Sequence, residues 1–150
     1  MEKIIDEFGV KPRFVGTFFG HQLKSIEGRM TSHPDFSHEK VYDLFGYVHR
    51  MKLDMEITKA LIPIVFEHPN MAFESLLISI KFRKRSREEL LAPMDYLLEK
   101  FKEINRSKNE DAVVNWVMGQ LRTQATGNLS YRELRREIEI KLNDNIQNNR

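Results

Sequence analysis

The chain has 150 residues, with 24 Lys and Arg against 22 Asp and Glu and a formal net charge of +2, which permits a polyanionic partner without demanding one. That length suits one ordinary domain or two small helical ones, and the 41% hydrophobic and 31% charged residues fit a folded globular protein. The absence of cysteine excludes a disulfide framework, a thiolate zinc site and a cysteine nucleophile.

No apolar run approaches the roughly 20 residues of a membrane span. The opening MEKIIDEFGV lacks the basic-then-apolar order of a secretory leader, so no membrane partner and a cytoplasmic location are expected.

The apolar clusters recur at i, i+3, i+4 and i+7 and hardly any segment alternates with period two, which predicts an all-α fold. A short helix over 3–8 should stop at Gly9. Pro12 suits the first turn of a second helix carrying Phe14, Val15, Phe18, Phe19, Leu23 and Ile26, ended by Gly28 and the run Thr31, Ser32, His33, Pro34. Ser37 is placed to cap a third helix with an inner face of Val41, Leu44, Phe45 and Val48. Asp54 is placed to cap a fourth with Ile57, Leu61, Ile64 and Val65, in which Pro63 should produce a bend. Pro69 and Asn70 should open a fifth, with Phe73, Leu76, Leu77 and Ile80 as its stripe.

After the basic run KFRKRSR, Ser86 and Glu89 form a capping box for what should be the longest helix, lined by Leu90, Met94, Leu97, Leu98, Phe101 and Ile104 and disturbed by Pro93. Residues 105–109 are polar and read as the clearest linker. Beyond them a helical hairpin is expected, helices 110–124 and 131–142, with positive φ at Gly127, a second capping box at Ser130 and Glu133, and a frayed tail. The expected organisation is an N-terminal helical segment, 1–32, a helical subdomain, 33–104, and a C-terminal hairpin subdomain, 105–150. In the hairpin, Trp116 reads as a core anchor beside Val113, Val117 and Leu121.

Catalytic patterns are poor. His21, His33, His38, His49 and His68 are scattered, without an H-E-x-x-H or a carboxylate-backed pair, so no metal and no cofactor are expected. GTFFGHQLKS fails the glycine and Lys-Ser spacing of a phosphate loop, and its phenylalanines belong to a helix face. No G-x-S-x-G elbow is present, and no acid–base pair stands out from the solvated carboxylates.

Two stretches could bind nucleic acid. Lys81, Arg83, Lys84, Arg85 and Arg87 form the densest cationic run, at a junction where side chains can fan toward phosphates; equally, they read as a solvated turn offsetting a helix dipole. In the hairpin, Gln120, Arg122, Asn128, Arg132 and Arg135 surround Gly127, and guanidinium and amide groups beside a glycine turn suit phosphate and ribose. The interleaving of Arg132 and Arg136 with Glu133 and Glu137 is also the pattern of an ordinary exposed helix. Gly119, inside a helix at a cost of about 1 kcal/mol relative to Ala, asks for close packing or ligand approach.

The segment VMGQLRTQATGNLSYRELRREIEIKL resembles the C-terminal signature of the GatB/YqeY tail family: an apolar helix, Gly-Gln, a basic residue, Gly after a short spacer, and a last amphipathic helix. VYDLFGYVHRMKLDMEITKALIPIVFEHPN is similar to the family's first helical part, the capped segment from Ser86 to its middle, and FGVKPRFVGTFFGHQLKSIEG to the helical region preceding the tail in the archaeal-type amidotransferase E subunit. Gly119, Gln120 and Gly127 match the signature, and Arg122 stands where a basic residue is usual. Thr126 and Asn128 stand where relatives often carry lysine, and the proline common after the turn is missing, which shifts weight toward Arg132, Arg135 and the 81–87 run.

The resemblance implies a noncatalytic, two-subdomain helical tail of a glutamyl-tRNA(Gln) amidotransferase B/E-type subunit. Such a tail holds tRNA, here tRNA-Gln, while other subunits of the complex carry out transamidation. The alternatives are a helical protein-interaction module or a stand-alone YqeY-like protein without RNA binding.

Overall fold

A computed structural model describes residues 2–104 and 109–148 of the chain, the side chain of Asn148 excepted. The fold is all-α, and no strand occurs among the described residues. The chain divides into two compact units, Met1–Phe82 and Arg83–Arg150.

In the first unit, α1 (Glu2–Phe8) ends at Gly9, whose φ of +65° suits a residue without Cβ. Pro12 then opens α2 (Pro12–Thr17), which passes through a π-helical stretch (Phe18–Leu23) into α3 (Lys24–Arg29). The reason for the π turn lies in the sequence. Val15, Phe18, Leu23 and Ile26 are all buried, yet in a regular α-helix at ~100° per residue they spread over about 140°, whereas the extra residue of a π turn narrows the arc to about 80°. One additional residue thus returns Leu23 and Ile26 to the core.

α4 (His38–Arg50) buries the expected Val41, Leu44, Phe45 and Val48. Ser37 sits at its N-cap, but the hydroxyl makes no capping bond. Gly46, inside this helix, has a reason that the sequence did not reveal: a Cβ there would stand 3.1 Å from the Phe8 ring, so glycine lets α1 lie close. Phe14 and Phe18 meet Phe45 in T-shaped contacts at centroid distances of 6.3 and 5.0 Å. α5 (Ile57–Glu67) continues through Pro63, and Asp54 accepts from the Glu56 amide at 3.1 Å to fix the turn that enters it. α6 (Phe73–Ser79) starts later than the sequence suggests, because Asn70 donates to Asp35 at 2.8 Å in the loop ahead of α4 instead of opening the helix.

α4 and α6 end in the same way. Leu53 and Phe82 donate backward to Val48 and Leu77 at 3.0 Å, while Lys52 and Lys81 donate to His49 and Ile78, in Schellman closures with lysine where glycine is usual. Lys52 and Lys81 accordingly have φ of 55° and 57°. A side chain in that region costs on the order of 1 kcal/mol. Lys81→Gly should therefore raise stability by about 0.5–1 kcal/mol in denaturant melts followed by helical circular dichroism, with Lys81→Ala giving little gain.

The second unit starts with α7 (Arg87–Leu91), capped by the Ser86 hydroxyl, which accepts from the Glu89 amide at 3.2 Å. Pro93 divides what the sequence suggested as one long helix: Ala92 and Pro93 form a turn and α8 (Met94–Ile104) begins anew. Of its stripe, Leu90, Met94, Leu98 and Phe101 are buried, while Ile104 is 60% exposed. Of the expected linker, 105–108 lie outside the described residues. Asn109 is the N-cap of α9 (Glu110–Ala125), accepting from the Asp111 amide at 3.0 Å.

α10 (Tyr131–Asn148) continues through the tail expected to fray, where Leu142 and Ile146 prolong the i, i+4 apolar spacing. Residues 149–150 lie outside the described range. The α9 face that enters the core is Val114, Val117, Leu121 and Ala125, meeting Leu134 and Ile138 of α10 and Leu90, Met94 and Leu98. Trp116 is half-buried at the edge of this core, 5.7 Å from Phe101.

The expected boundaries at 32/33 and 104/105 therefore fall inside compact units, and the division lies within the basic run instead. α7 and α8 bury their stripes against α9 and α10, so the polar 105–109 segment connects packed neighbours.

Candidate nucleic-acid interface

The turn between α9 and α10 is built by backbone bonds. Gly127 has φ +86°, and the amides of Asn128 and Leu129 both donate to the Ala125 carbonyl at 2.8 Å. The Ser130 hydroxyl then accepts from the Glu133 amide at 3.1 Å and starts α10. Gly127 is buried. Its role is conformational.

Asn128 links this turn to the basic run. Its Oδ1 accepts from the Arg85 amide at 2.9 Å, and its Nδ2 donates to the Arg83 carbonyl at 2.8 Å and to the Gln124 carbonyl at 3.1 Å. The amide mimics a strand's donor–acceptor pair and straps residues 83–85 to the glycine turn across 43 positions of sequence. The two stretches singled out separately are one place in the second unit. Asn128 is not the outward ligand contact expected of it: its side chain is engaged by the protein and does not reach outward.

The cations divide into paired and unpaired. Among the described residues the guanidinium groups of Arg83, Arg85, Arg132 and Arg136 form no ion pair, whereas Arg87 is held by Glu133 at 3.8 Å and hydrogen-bonds Glu137. That bond to the Glu137 carboxylate raises the Arg87 pKa above its ordinary value. Arg135 bonds Glu139 at 3.1 Å and Asn115 at 3.1 Å and lies 3.7 Å from Asp111. These two arginines join helices, and their positive charge is largely offset. Arg122 lies over the Tyr131 ring, 4.6 Å from its centroid, and Tyr131 shares a hydrogen bond with Thr126.

Lys84 and Gln120 are exposed. Lys81 belongs to the first unit, where its backbone closes α6. Gly119 is exposed and a Cβ there would meet open space, so close helix packing does not account for it.

Sequence reasoning missed Tyr131 as the platform of Arg122 and undervalued Arg136. An aromatic at the first position of a helix, one tight turn after an arginine in the last turn of another, is the signal that could have found the pair. Among the described residues, no three His, Asp or Glu side chains converge as metal ligands. The histidines engage locally, as His38 against Phe19 and His49 against Phe8. No helix among the described residues is long and apolar enough to cross a membrane. No family model, curated protein or solved structure matches the chain.

Proposed function

We propose that this chain is a noncatalytic tRNA-binding helical domain of a glutamyl-tRNA(Gln) amidotransferase B/E-type subunit, acting in the cytoplasm with the other subunits of that complex. The family reading rests on the resemblance of the Gly119–Gln120, Arg122 and Gly127 signature. The observation that best supports RNA binding is the Asn128 strap, which sets the Arg83–Arg85 backbone against the turn before Arg132 and Arg136. Unpaired guanidinium groups on an ordered backbone suit sugar–phosphate contacts that fix register without reading bases. The ion pairing of Arg87 and Arg135 favours the rival reading, a protein-interaction module, because it diverts two candidate contacts to internal structure.

Titration of labelled tRNA at several salt concentrations tests the proposal. The double substitution Arg83→Glu with Arg85→Glu breaks no ion pair among the described residues, so helicity should persist. Affinity for tRNA should fall more than tenfold at low salt, and the slope of log K against log salt should shrink by about one to two. Unchanged affinity and slope would leave the run as a solvated turn and sink the proposal.

A further inference from the structure

α10 carries a second edge of opposite character. Glu133, Glu137, Ile140 and Asp144 recur at i, i+4, i+7 and i+11, roughly 120° around the helix from Arg132, Arg135 and Arg136, with Leu134 and Ile138 buried on the remaining side. Between this edge and the α7–α8 break lies a groove of about 450 Å3. Its floor is apolar, formed by Leu91, Ala92 and Met94, and Ile140 stands in it 45% exposed.

The rim is acidic. Glu88, Asp95, Glu137 and Asp144 face one lysine, Lys141, which itself lies 3.3 Å from Asp95. Lys141 offsets Asp95 and Arg87 offsets Glu137, so Glu88 and Asp144 remain and the rim keeps a formal −2, in a chain whose total is +2. Such a rim repels phosphate, so the groove is no continuation of an RNA-binding face.

We propose that the groove docks a basic amphipathic helix of a partner protein, its aliphatic side chains on Leu91, Met94 and Ile140 and its Lys or Arg flanks on Glu88 and Asp144. Charge complementarity selects the occupant: an apolar floor needs aliphatic anchors, and the carboxylates on both margins need cations beside them. The span suits a helix. From Glu137 to Asp144 the wall is two turns of α10, about 10 Å, which matches a visiting helix presenting residues at i, i+3 or i+4, and i+7. α10 then serves two partners, polyanion on one edge and polycation on the other.

The test uses the full chain and two fluorescein-labelled 16-residue helical peptides with the same leucine stripe, one flanked by Lys and Arg, the other by Glu, read by anisotropy. The basic-flanked peptide should bind at least tenfold more tightly. Ile140→Gln, a surface change that circular dichroism should show to leave the helices intact, should weaken it about fivefold while tRNA affinity stays the same. Glu88→Lys with Asp144→Lys should abolish the preference for basic flanks. The proposal is overturned by equal binding of the two peptides, by no binding of either at 100 µM peptide, or by indifference to both sets of substitutions. A concentration-dependent dimer in sedimentation that Ile140→Gln dissolves would also overturn it, by assigning the groove to a second copy.

Discussion

Leu134→Ala should destabilise the second unit by about 3 kcal/mol. Leu134 is 0% exposed and belongs to the same buried cluster as Val117, Leu121 and Ile138, so truncation removes its transfer free energy and leaves a cavity that helices on either side cannot fully close. A unit spanning residues 83–150 is small, and folded proteins retain only about 0.05–0.15 kcal/mol per residue, so the loss is a large part of what holds it. The readout is built in. Trp116 is the single tryptophan of the chain and lies against Phe101 at the margin of this core, so its fluorescence follows the second unit. With a urea slope of about 1 kcal/mol/M, the Trp116 midpoint should drop by roughly 2–3 M, whereas Arg132→Ala, at an exposed site, should move it by less than about 0.5 M. A shift under about 1 M for Leu134→Ala would mean that the core relaxes around the gap.

The parts legible in the sequence are those whose cause is local. Gly9, Pro12, Ser86, Gly127 and Ser130 act within their own turn, and each stands in the structure at the helix end where spacing put it. Causes that act across the chain were hidden. Lys52 and Lys81 occupy left-handed closures that glycine would have advertised. The requirement for Gly46 is set by Phe8, on another helix. The π turn shows only as a mismatch between buried positions and the regular period. Domain division failed for a related reason: a polar stretch marks a break between helices, and the helices on both sides of 105–109 share one core. In the candidate interface the residue types were visible while their partners were not, so Arg87 and Arg135 counted as available cations although Glu137 and Glu139 hold them. Asn128 counted as a lysine lost from the turn, when its carboxamide is what joins the turn to the basic run.

That joining role makes Asn128 the position where folding and binding should be separable by measurement. Asn128→Ala deletes bonds to the Arg85 amide and to the Arg83 and Gln124 carbonyls. Each is worth about 0.5–1.5 kcal/mol net, but the site is partly exposed and water can replace some of them, so the Trp116 transition should lose about 1–2 kcal/mol in total. Asn128→Asp keeps an acceptor for Arg85 while turning a carboxylate oxygen toward two carbonyls, and should cost at least as much. For tRNA, the alanine variant removes no charge. Residues 83–85 would instead have to be ordered during binding, at about 1–2 kcal/mol, which predicts an affinity lower by roughly 5- to 30-fold with the salt slope nearly unchanged. Reversal of Arg83 and Arg85 lowers the slope as well as the affinity. If Asn128→Ala binds tRNA as the parent does, under conditions where Trp116 reports a folded unit, pre-ordering by the strap has no part in recognition, even if the arginines themselves do.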